Sequence, residues 1–215
     1  MDQRTIRVRG SAEVSGAPDW VIISFSISSR NLDYGKSMEQ LAQQTENLRE
    51  ELSNIGLERD NLKTYQFSID TDFDWVKNKR VFNGYQASHM LRVEFPFEKD
   101  YLNKVLRVLS NTQSQASFHI SFEIKDPEPL RQQAIAKAVE NAGEKARVLA
   151  EAGRVALGEI IQIDYSWSEI HFRSSLEIHA DAAPMSAPDY DVTPEDVDVS
   201  DSVTVIYSIH SRLDG

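Results

Sequence analysis

The chain has 215 residues, of which 40% are hydrophobic, no cysteine, and a formal net charge of −11. That suits one large domain or two small interlocked ones with a real core, and it excludes disulfides, zinc–thiolate sites and thiol catalysis. The acidic balance argues against nucleic acid or an anionic membrane as partner, since both call for basic patches.

No apolar run is long enough to span a bilayer, so no membrane insertion is expected. Met1-Asp2-Gln3-Arg4 carries no hydrophobic leader. As written, the chain is expected in the cytoplasm. A chain trimmed to its mature form would look the same and would belong to the periplasm or envelope.

Thr5 to Val14 alternates, with Ile6, Val8, Ala12 and Val14 on one side and Arg7, Arg9, Ser11 and Glu13 on the other. This predicts a half-buried strand. After the turn signal Ser15-Gly16-Ala17-Pro18-Asp19, Trp20 to Ser29 alternates again, with Val21, Ile23, Phe25 and Ile27 inward. The two strands are expected to form an antiparallel hairpin.

Asp33 caps a predicted helix from about Tyr34 to Ile55, whose apolar stripe is Met38, Leu41, Leu48, Leu52 and Ile55, with Gly56 as its stop. Asn61 to Trp75 reads as a strand with Tyr65, Phe67, Ile69, Phe73 and Trp75 on one face and Asp70, Asp72 and Asp74 on the other. Lys77-Asn78-Lys79-Arg80 then reads as the tip of a long hairpin, which returns as Gly84 to Phe95. A short helix over Lys99 to Ser110 and a strand marked by Phe118, Ile120, Phe122 and Ile124 follow.

From Asp126 to Gly153 the period is helical. Ala134, Ala138, Ala142, Ala146 and Ala150 recur every four residues, with prolines at the start and glycine at the end. A strand with Ile161, Ile163, Tyr165 and Trp167 in phase comes after Gly158. Glu169 to Ser200, with Pro184, Pro188, Pro194 and many acids, reads as a long loop, either irregular throughout or ordered in part. The last strand is Ser202 to His210. The order β-β-α-β-β-α-β-α-β-β, rich in hairpins, predicts an α+β fold on a largely antiparallel sheet with the helices packed on it.

Candidate sites are few, and none is catalytic. Asp70, Asp72 and Asp74 superficially match a calcium loop, but the positions that should hold glycine and glutamate hold Trp75 and Val81. A solvated strand face is the default. None of His89, His119, His171, His179 and His210 falls in a metal-ligand spacing. His89 lies in the apolar phase of its strand, so a packed histidine is expected. His171 and His179, near Glu169, Glu177 and Asp181, are the only pair that suggests a weak metal or proton site. There is no Gly-x-Ser-x-Gly elbow, Walker loop or GxGxxG, and no cofactor is expected.

Lys77, Lys79 and Arg80, beside Trp75 and Phe82, suit contact with an acidic partner; the bland reading is a solvated tip. The alanine face also reads two ways. Ala134, Ala138 and Ala142 either pack on their own sheet or, like the Met38–Ile55 helix, against a neighbouring subunit.

Several short patterns occur in a distinctive order: Ile6-x-Val8-x-Gly10, Pro18-Asp19, Gly84-Tyr85-Gln86-Ala87, Leu130 before the alanine ladder, Lys145-Ala146, Leu149-Ala150, Gly153, Leu157-Gly158 and Val203-Thr204-Val205. This resembles the SIMPL-domain family, named for a signalling molecule associated with a mouse pelle-like kinase. Bacterial members include periplasmic immunogenic and oxidative-stress proteins, many with a signal peptide. The resemblance implies a single α+β domain over about residues 4–213, no established enzymatic activity and no catalytic residues to carry over. It also implies a homo-oligomer, ring- or channel-like in at least one bacterial relative. The expected function is a non-enzymatic, self-assembling protein in an envelope, stress-related or scaffolding role. A module binding a protein partner through residues 77–80 or 169–200 is the alternative, and a metal-dependent hydrolase comes third.

Overall fold

A computed structural model describes residues 4–110, 116–165, 174–176 and 192–211. In chain order the elements are β1 Thr5–Gly16, β2 Trp20–Asn31, α1 Tyr34–Ser53, a 3-10 turn Arg59–Asn61, β3 Lys63–Val76, β4 Lys79–Pro96, α2 Lys99–Ser110, β5 Ser117–Glu123, α3 Glu128–Ala152, β6 Val155–Asp164, β7 Ser174–Leu176 and β8 Val197–Ser211. The class is α+β, and every strand pairing is antiparallel. The strands form a three-stranded sheet, β1-β8-β6, and a five-stranded sheet, β3-β4-β2-β5-β7. Each sheet belongs to its own compact unit, and neither unit is continuous in sequence.

In the first unit β1 pairs with β8 without interruption, from Thr5 opposite Ser208 to Gly16 opposite Val197. Helix α3 lies on this sheet. Ala138, Ala142 and Ala146 meet Val8, Val203, Val205 and Tyr207, and Ala134 meets Val14 and Val199. The helix sits unusually close. A Cβ added at Gly10 would come within 1.9 Å of the Ala138 carbonyl oxygen and 2.7 Å of the Ala142 backbone nitrogen. Glycine in the strand under alanine in the helix is what permits this approach. The ladder from Ala134 to Ala146 is therefore wholly buried in its own unit. Ala134, Ala138 and Ala142 present no surface to a second chain, because their own sheet occupies that face.

In the second unit β2 is central, between β4 and β5. Val21, Ile23, Phe25 and Ile27 are buried on one face, under Leu41, Leu48 and Leu52 of α1 and Leu102, Val105, Leu106 and Leu109 of α2. Burying each such side chain is worth about 1.5–3 kcal/mol, so these helices are held by their stripes rather than by propensity. The start of α1 is fixed locally: Asp33 Oδ1 accepts a hydrogen bond from the Lys36 N–H at 2.9 Å. Gly56, just beyond the helix, takes φ +94°.

Three expectations are corrected. β1 and β2 do not form a hairpin. They lie in different sheets, and the residues between them are a crossover, with the Asp19 N–H bonded to the Glu123 carbonyl and the Asp19 carbonyl to the Phe97 N–H. Alternation demands a partner for each strand but does not choose it. Second, the segment 169–200 is not a loop throughout: β7 pairs with β5 inside it, and β8 starts at Val197, where buried Val197 and Val199 alternate with exposed Asp198 and Ser200. Of the rest, residues 192–196 are described, with Val192 buried, while residues 169–173 and 177–191, with His171 and His179, lie outside the described residues. Third, β3 does not keep one phase. A bulge at Tyr65 breaks its register with β4, so Thr64 and Phe67, three apart, both meet His89.

Candidate functional site

The most distinctive surface is the far end of the β3–β4 hairpin. β2 accompanies β4 only as far as Asn31 opposite Tyr85; beyond that point, among the described residues, β3 and β4 pair with each other alone. Gly84 marks the exit. It takes φ +118°, and a Cβ there would lie 2.5 Å from the Asn31 carbonyl oxygen. Next to it a second bulge sets Asp72 opposite Gly84 but Phe73 opposite Phe82. A chain of edge-to-face rings, Phe73–Phe82, Phe82–Tyr85 and Tyr85–Tyr34, ties the root of this arm to the start of α1.

The arm closes in a two-residue turn, Lys77-Asn78, with both residues left-handed at φ 51° and 62°. The sequence-predicted tip is therefore a tip. Lys77, Lys79 and Arg80 are exposed, and the Arg80 guanidinium lies 3.7 Å over the Phe73 ring. Trp75, directly opposite Arg80, is 73% exposed.

The three carboxylates beside the arm do not form a cation site. Asp72 pairs with Arg30 at 3.2 Å and accepts from Asn83 at 3.0 Å, while Asp70 and Asp74 are exposed. Among the described residues no group of three His, Asp or Glu side chains could hold a metal ion.

His89 is a packed histidine, as its phase predicts. Its Nδ1 lies 3.1 Å from Thr45 Oγ1 and its Nε2 2.8 Å from Thr64 Oγ1, with the Phe67 ring edge-on. Burial, and then the positive charge of Arg49, lowers its pKa from the ordinary value. The two hydroxyls and the Phe67 ring hold the imidazole in place between α1 and β3. His119 and His210 lie in separate sheets.

A second surface escapes sequence reasoning. Among the described residues β6 is an edge strand, bonded to β8 on one side only. α3 lies mainly over β1 and β8, and two register irregularities in β6 set Leu157, Ile160 and Ile163 opposite Ile209, Tyr207 and Val205. The isoleucines beyond the helix remain open: Ile160, Ile161 and Ile163 are each more than two-fifths exposed. The Tyr165 hydroxyl, just past the strand, donates to Asp201 at 2.9 Å. In the sequence these isoleucines read as ordinary core. Gly158 within the strand is the one hint of irregularity. At the opposite edge of the same sheet, a shallow groove of about 580 Å³ between β1 and α3 is lined by Val148 and Leu149, with Lys145 Nζ donating to the Arg9 carbonyl at 3.0 Å.

Among the described residues no helix is long and apolar enough to cross a membrane.

The family profile SIMPL, described as a protein of unknown function (DUF541), matches residues 6–207, through both units. "Uncharacterized protein YggE" of Edwardsiella ictaluri (strain 93-146) is 23% identical over 81% of this chain and 73% of its own length. "Uncharacterized protein YggE" of Escherichia coli (strain K12) is 22% identical over 93% of this chain and 81% of its own. The Ile6-x-Val8-x-Gly10 pattern, whose glycine lets α3 rest on β1, falls at the start of the matched region, and Val203-Thr204-Val205, on the strand paired with it, near its end. The chain belongs to the SIMPL family.

Proposed function

We propose that this protein is a non-enzymatic, self-assembling member of its family, with an envelope, stress-related or scaffolding role. The observation that supports self-assembly is the open edge of β6. Edge strands are normally guarded by charge, brevity or distortion. β1 carries Arg7, Arg9 and Glu13; β3 carries three aspartates and a bulge; β7 has three residues. β6 has ten residues and leaves Ile160, Ile161 and Ile163 in water. Its register irregularities twist it, and its two acids, Glu159 and Asp164, flank the isoleucines rather than fall among them.

The occupant this reading assigns to the edge is a second copy of the chain. The test is the solution mass of the intact protein beside an Ile161→Lys, Ile163→Lys double variant. Self-assembly through β6 predicts a particle above the 24.4 kDa chain mass for the wild type and a much smaller one for the variant. Equal masses would reject β6 as the contact.

A further inference from the structure

We propose that the end of the β3–β4 arm docks on an anionic phospholipid surface. Residues 75–82, Trp-Val-Lys-Asn-Lys-Arg-Val-Phe, hold three cations and no acid in a chain of net charge −11. The fold places this segment at the end of a ribbon that leaves the sheet at Gly84 and Asn31. From Asp72 to Lys77 the ribbon extends roughly 17 Å at about 3.3 Å per residue. That exceeds the Debye length of about 8 Å at physiological ionic strength, so charges at the root of the arm are screened from whatever the tip touches.

The chemistry of the tip is that of a membrane interface. Trp75 and Arg80 face each other across the ladder, with Phe73 and Phe82 behind them on the same face and Lys77 and Lys79 at the apex. Tryptophan settles at headgroup level, and lysine and arginine gather acidic lipids. Asp74, the nearest acid, lies on the face away from Trp75 and Arg80, the face that also carries Lys79. A lipid surface needs only a few inserted side chains. The left-handed Lys77-Asn78 turn holds the ammonium groups at the outermost point. This inference is independent of self-assembly through β6.

The test is co-sedimentation of the full-length protein with phosphatidylcholine vesicles, with and without phosphatidylglycerol. Partition is expected only onto the vesicles containing phosphatidylglycerol, and it should fall as salt is raised. Each cation near the surface contributes about fivefold, so Lys77→Glu with Lys79→Glu should cut partition by more than about tenfold. Trp75→Ala should cut it severalfold while keeping the salt dependence. All three side chains are exposed, so unchanged far-ultraviolet circular dichroism is expected for every variant. Absence of wild-type binding, equal binding to both vesicles, or unchanged binding of the reversed-charge variant would each overturn the proposal. A tip variant that alters the particle mass in solution while the wild type ignores vesicles would make the arm a protein contact instead, and would overturn it too.

Discussion

Gly10 of β1 lies directly beneath Ala138 of α3, so close that a methyl group on Gly10 would sit 1.9 Å from the Ala138 carbonyl oxygen. The methyl is fixed to the strand and the oxygen it meets is helix backbone, so neither can rotate away. Gly10→Ala should therefore lift the helix from the sheet and cost about 3 kcal/mol or more, the upper end for overpacking. Urea unfolding followed by circular dichroism would measure it. A loss under about 0.5 kcal/mol, no more than an ordinary surface change, would mean that the helix does not rest on the strand.

His89 links stability to pH. Its pKa is lowered in the fold, so the unfolded chain binds a proton first as pH falls. The stability it contributes is complete above the unfolded value of about 6.5 and declines as pH drops from there toward the lowered folded value. Thermal melts of wild type and His89→Gln across this range should converge toward low pH. A gap between them that stays constant with pH would contradict a buried neutral imidazole.

The Lys77-Asn78 turn keeps two non-glycine residues at positive φ, a conformation that costs roughly 1–2 kcal/mol per residue. Replacing the pair by Asn-Gly suits the same turn better and should stiffen the arm. Amide hydrogen exchange in the tip residues should slow severalfold. Faster exchange would mean that the turn is of another type.

The cap of α1 rests on one carboxylate. Asp33→Ala removes the acceptor for the Lys36 N–H and should destabilise the protein by about 1 kcal/mol. Asp33→Asn should recover most of that loss in the same denaturation experiment, because the amide oxygen can still accept.

What the sequence shows well is local. The alternation of β2, the Asp33 cap, the alanine period and the Lys77–Arg80 tip all follow from neighbours within a turn or a strand. What it hides depends on distant partners. Nothing in residues 5–16 says that β1 pairs with residues 197–208 rather than with β2, because alternation is the same for either neighbour. The bulge at Tyr65 is invisible for the same reason. The alanine ladder was legible as a close-packing face but not as an internal one; that required Gly10 opposite it. Ile160, Ile161 and Ile163 look like core until the sheet is seen to end at β6.

The central claim is that this chain is a unit of assembly whose free surface is the β6 edge, the alanine face being already occupied. Light scattering of the wild-type protein at micromolar concentration tests it most directly. The account predicts a defined particle larger than the 24.4 kDa chain, reduced by Ile161→Lys with Ile163→Lys. A strict monomer at 24.4 kDa across the concentration range would contradict it.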